Sequence, residues 1–95
     1  MSVETFEALE KVIKRENILQ KYKLKKIGIF GSFARGETAN DIDFYIDTDT
    51  CDLKNLIALK NDLEKISEKP VDLMVRKYAN PIVLHRAQKD MRYVG

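Results

Sequence analysis

The sequence predicts an α/β fold, one domain in which helices pack around a small β-sheet. Three observations predict it. The chain has 95 residues, enough for one modest core and too few for two. Stretches with helical apolar spacing alternate with short runs of β-branched and aromatic residues. Hydrophobic residues make up 44% and charged residues 34%, a globular balance well clear of the disordered class.

Each element has a local reason. Residues 2–21 have the spacing of one amphipathic helix. Ser2 caps it, Glu4 and Glu7 sit near the positive end of its dipole, and Val3, Phe6, Leu9, Ile13 and Leu19 form its inner stripe. The opposite face, rich in Lys and Glu, reads as solvated. Residues 26–31, Lys-Ile-Gly-Ile-Phe-Gly, predict a buried strand ending on glycine. Residues 32–36 follow as a helical turn closing on Gly36, and residues 37–40 are a polar connector.

From Ile42 to Ile46 the residues alternate. Ile42, Phe44 and Ile46 face one way; Asp41, Asp43, Tyr45 and Asp47 face the other. That is a strand with one apolar and one acidic face. Residues 53–67 form a second amphipathic helix, with Leu53, Leu56, Ile57, Leu59, Leu63 and Ile66 inward. Pro70 punctuates a third strand from Val71 to Val75, where Val71, Leu73 and Val75 oppose Asp72 and Met74. Asn80-Pro81 opens a final helix holding Ile82, Leu84 and Met91. The order is helix, strand, turn, strand, helix, strand, helix. No repeat or linker interrupts residues 1–95.

Composition excludes several classes of function. Lys and Arg total 17 against 15 acidic residues, a net charge of +2, too balanced for an electrostatic nucleic-acid binder. The single cysteine, Cys51, rules out an internal disulfide or a cysteine-built zinc site and reads as an inert thiol. No apolar run approaches the roughly 18 residues of a membrane span. Met1-Ser2-Val3-Glu4 lacks an apolar signal core, so a cytoplasmic protein is expected.

Three features carry chemistry. Gly31-Ser32 stands where a strand passes into a helical turn, and such a bend lets backbone amides approach an anion. An ordinary turn explains the pair equally well. Asp41 and Asp43 lie two apart on a strand, which puts both carboxylates on one face with Cα atoms about 6.6 Å apart. Like charges so placed repel unless a cation lies between them. Oxygen ligands suit Mg²⁺, and paired ions in phosphoryl-transfer sites stand about 3.5–4 Å apart. An acid-decorated edge strand is the plain alternative. Asp72 lies within an apolar strand, where a carboxylate is costly unless it is paired, metal-bound or solvent-facing. Together the three describe an anion cradle beside three carboxylates, which suits metal-assisted transfer of a nucleotidyl group.

Ile-Phe-Gly-Ser-Phe-Ala-Arg-Gly-Glu (29–37), Asn-Asp-Ile-Asp-Phe (40–44) and Val-Asp-Leu-Met (71–74) resemble the minimal nucleotidyltransferases, the MNT branch of the DNA polymerase β-like superfamily. The resemblance implies that superfamily's fold, a small mixed sheet flanked by helices. It implies that Gly31 and Ser32 hold a triphosphate and that Asp41, Asp43 and Asp72 are the catalytic triad and bind two Mg²⁺ ions, with ATP as substrate. Asn40 departs from the serine common there, and either residue suits a turn.

Other residues have weaker claims. Arg35 would reach a phosphate or the acidic cluster, or else tie Glu37 in a structural pair. Arg76 is a lesser candidate for nucleotide contact, Tyr45 for packing or base stacking, and His85 has no visible partner.

Larger relatives add helical domains for the acceptor, and this chain ends just after its last expected helix. The expected acceptor is therefore a partner protein. By resemblance that partner is a HEPN-domain toxin, with AMP transferred from ATP onto one of its tyrosines by this chain as antitoxin, in a hetero-oligomer. Two other functions compete: a non-catalytic antitoxin that neutralises by binding, and a nucleotidyltransferase for a small molecule of the aminoglycoside type.

Overall fold

A computed structural model describes residues 4–48 and 52–95 of the chain. Its elements are helix α1 (Phe6–Arg15), the short helix α2 (Ile18–Lys21), strand β1 (Ile27–Phe30), the one-turn helix α3 (Gly31–Ala34) and strand β2 (Ile42–Ile46). Helix α4 (Leu53–Ser67), strand β3 (Val71–Val75), a 3₁₀ turn at Arg76–Tyr78, helix α5 (Pro81–Gln88) and strand β4 (Arg92–Val94) complete them. The sheet order is β3-β2-β1-β4. Strand β1 runs antiparallel to both β2 and β4, and β2 runs parallel to β3. The expected mixed sheet with helices is thus present, and the α4 crossover supplies its one parallel pair.

One face of this sheet carries the core. Ile27 lies across from Ile46 and Ile29 from Phe44, while Ile42 and Val71 pair on the other side. All five of Ile27, Ile29, Ile42, Phe44 and Ile46 are fully buried, packed under Leu9, Ile13, Leu59 and Leu63 of α1 and α4. Alternation sends Gly28, Phe30, Asp43, Tyr45, Asp72 and Met74 to the second face, which α5 borders.

The helix caps follow the sequence in part. Asn80 Oδ1 accepts from Ile82 N–H at 2.9 Å, with Pro81 in the first turn of α5. Asp52 caps α4 through Lys54 N–H at 3.0 Å.

Several expectations need correction. The helix expected over 2–21 is two helices, because Asn17 takes a left-handed conformation (φ 54°) and turns the chain between them. Thr5, whose Oγ1 accepts from Ala8 N–H, caps α1; Ser2, Val3 and Cys51 lie outside the described residues. Ile18 rather than Leu19 is the buried residue of α2. On α4, Leu53 and Ile57 face solvent, so the inner stripe narrows to Leu56, Leu59, Leu63 and Ile66. The final helix ends at Gln88, Ile82 is exposed, and Met91 leads into β4, a fourth strand missing from the expected order. Tyr45 lies on the second face as expected and is buried there, in the packing role rather than the base-stacking one.

Candidate active site

The site forms where β1 ends. Gly31 begins α3 with φ +76°, a conformation that favours glycine. A Cβ added there would lie 2.5 Å from Asp43 Oδ2, so the bend and this carboxylate touch. Phe30 sits opposite Asp43 in the antiparallel register. Asp43 in turn sits opposite Asp72 in the parallel register, on backbones about 4.8 Å apart. The two carboxylates line one cavity of about 530 Å³ with Phe30, Met74, Tyr78, Asn80 and Val83. Three segments distant in sequence thus meet at one point.

Electrostatics record the crowding. Partial burial raises the pKa of Asp43 above its ordinary value, and the charges of Asp41 and Asp72 raise it further. The charge of Asp41 thus reaches Asp43, but Asp41 does not line the cavity, and its side chain and that of Asp72 are exposed. No group of three acidic, histidine or cysteine side chains among the described residues stands ready as a metal cage. Mg²⁺ rarely needs one. It is commonly held by one or two carboxylates, substrate phosphates and water. Hard oxygen donors and an uncompensated acidic pair fit such an ion.

Arg35 is largely committed within the protein. Its Nε donates to Glu37 at 2.6 Å and one terminal nitrogen to Asp90 at 2.8 Å, while the other reaches Ser32 Oγ at 3.3 Å. The bonds to Glu37 and then Asp90 push its pKa further up. The pairing with Glu37 is the structural alternative weighed from the sequence; Asp90 was not foreseen, because 55 positions separate it from Arg35. Through its third bond Arg35 orients the Ser32 hydroxyl. Arg76 pairs with Asp47 at 3.0 Å. Tyr45 packs against Gly28, whose absent Cβ leaves room for Tyr45, Met91 and Tyr93. His85 is exposed on α5.

A second cavity, about 240 Å³, adjoins the first. Phe30, Gly31, Arg35, Val83, Arg86, Ala87 and Asp90 line it. Nothing in the sequence had marked Arg86; only the fold of α5 over the Gly31 bend brings it there. No helix among the described residues is long and apolar enough to cross a membrane.

The family described as "Polymerase beta, Nucleotidyltransferase" matches residues 13–94. A protein of Methanocaldococcus jannaschii, provisionally named a protein adenylyltransferase, is 34% identical over 98 residues, covering 97% of this chain and all of its own. The protein adenylyltransferase MntA of Thermococcus cleftensis is 26% identical over 99 residues, covering 99% of this chain and all of its own. Among solved structures, a toxin–antitoxin with AMP-PNP superposes with a TM-score of 0.73 at 25% identity, over 90% of this chain and 72% of the other. A tri-AMPylated Shewanella oneidensis HEPN toxin in complex with MNT antitoxin gives a TM-score of 0.70 at 23% identity, over 94% and 71%.

Proposed function

The chain belongs to the polymerase β nucleotidyltransferase family, and from that premise we propose that it is a protein adenylyltransferase, the antitoxin of a HEPN-toxin pair, which moves AMP from ATP to a tyrosine of its partner. One observation carries the chemistry: Asp43 and Asp72 stand side by side against the Gly31 bend. The adenylyltransferase names of relatives at similar length support the reaction, and the toxin–antitoxin bound to AMP-PNP supports nucleotide and partner.

Gly31 and Ser32 receive the triphosphate, and Arg35 fixes the Ser32 hydroxyl toward it. Asp41, Asp43 and Asp72 would hold two Mg²⁺ ions. Bound there, such ions would supply charge neutralisation of the triphosphate and a lowered pKa of the acceptor hydroxyl. Asp72, at the open side of the cavity, accepts the proton of that hydroxyl. The tyrosine oxygen forms a bond to the α-phosphorus, the bond from that phosphorus to the α,β-bridging oxygen breaks, and pyrophosphate leaves with the electron pair. Phe30 and Met74 keep one wall of the cavity apolar and exclude water from the attacked phosphorus. The cytoplasm supplies ATP and Mg²⁺ for such an enzyme.

The test combines the chain with labelled ATP, Mg²⁺ and the protein encoded beside it. Label is expected on a partner tyrosine and is expected to vanish with Asp43→Asn. No label from the native chain refutes the transfer. If partner neutralisation survives Asp43→Asn, binding without catalysis replaces it.

A further inference from the structure

The cavity of about 240 Å³ over Gly31 holds two guanidinium groups in unlike situations. Arg35 has two carboxylate partners, Glu37 and Asp90, so its charge is already compensated. Arg86 has no ion pair or hydrogen-bond partner from its side chain among the described residues. Its position is not accidental to the helix. Val83, Arg86, Ala87 and Asp90 follow each other at intervals of three, one and three, which is one face of a helical turn. All four line this cavity, and Ala87 is buried there. The α5 face that carries Arg86 thus borders the cavity beside α3.

The two cavities share Phe30 and Val83 as a common wall. The acids lie in one and Arg86 in the other, with Gly31 at the boundary. A nucleoside triphosphate with its α-phosphate at Asp43 and Asp72 and its phosphate chain running along the Gly31 bend enters the cavity lined by Arg86. Resting on the adenylyltransferase function above, we propose that Arg86 is a binding residue for the β- and γ-phosphates, the part of ATP that departs as pyrophosphate. A free guanidinium suits it, since its planar fork matches phosphate oxygens. Arg35 then positions the Ser32 hydroxyl, and Arg86 supplies the uncompensated positive charge.

Calorimetric titration of the full chain with Mg²⁺-ATP, AMP and inorganic tripolyphosphate tests this, using Arg86→Ala and Arg86→Lys. Arg86 is exposed, so thermal midpoints equal to the native value are expected for both. Arg86→Ala is expected to weaken ATP and tripolyphosphate about five- to tenfold and to leave AMP within twofold. Arg86→Lys is expected to recover part of the loss. Unchanged ATP affinity in Arg86→Ala, or equal weakening of AMP, overturns the assignment while leaving the adenylyltransferase function standing. Failure of the native chain to bind ATP overturns both.

Discussion

Asp43 is held against its own chemistry. Its carboxyl titrates above the ordinary 3.8 because it is partly buried and faces two other acids. A raised folded-state pKa makes the folded state the better proton binder. The stability contribution of Asp43 is therefore fully present below the unfolded pKa and is lost as pH rises through the folded value. At neutral pH an ionised Asp43 opposes folding. Asp43→Asn is expected to raise the thermal midpoint of the metal-free chain by a few degrees at pH 7, with the gain shrinking toward pH 3, while transfer falls at least about 100-fold. Calorimetry across pH checks the first and labelled ATP the second. Gly31→Ala runs the opposite way. A left-handed backbone costs an L-residue about 1–2 kcal/mol, and the new methyl would overlap Asp43 Oδ2. The urea midpoint is expected to fall accordingly and transfer to be lost with it.

Between elements, α2 and α4 are joined by one polar clasp over the core. Tyr22 Oη donates to Asp62 at 2.5 Å and Lys21 Nζ donates to the same oxygen at 2.8 Å. Burial, then the bond to Asp62, pushes the Tyr22 pKa up to about 12. The bonds from Lys21 and then Tyr22 hold Asp62 below its ordinary value. Tyr22→Phe is expected to cost about 1 kcal/mol near neutral pH. The native advantage is expected to persist down to the ordinary carboxylate range and fade below it as Asp62 protonates. It should also fade above pH 10 as the phenol ionises. Chemical denaturation of both chains at pH 3, 7 and 11 checks this. Such long-range clasps were invisible in the sequence, where Tyr22 and Asp62 are merely two polar residues 40 positions apart. What was legible followed local rules. Alternation over Ile42–Ile46 and Val71–Val75 placed both strands at their observed bounds, and the Asn80-Pro81 pair placed the start of α5. The break at Asn17 was hidden because apolar spacing continues across it. Strand β4 was hidden because three residues carry too little alternation to separate from a fraying helix.

Over the whole molecule, α1 and α4 cover one sheet face, and the site lies on the other beside α5. Strand β4 protects the outer edge of β1, whose residues Ile27 and Ile29 are fully buried. Ending the chain after Asp90 is expected to expose that edge and produce dimers or aggregates by size-exclusion chromatography. Ligand is expected to stabilise the intact chain. A ligand that binds only the folded state at a hundredfold excess over Kd adds about 2.7 kcal/mol, so Mg²⁺ with ATP should lift the thermal midpoint by roughly 10 °C or more in a domain of this size. Chelation of the metal should abolish most of that rise. The order in which the site is built has a further result. Asp43 and Asp72 belong to a parallel pair joined through the whole of α4, and Gly31 reaches them from a third strand. No local hairpin can bring the three together, since closing that long loop precedes their meeting. A newly made chain therefore cannot gather Gly31, Asp43 and Asp72 before α4 has carried β3 alongside β2, so the site is a late product of folding rather than a local one.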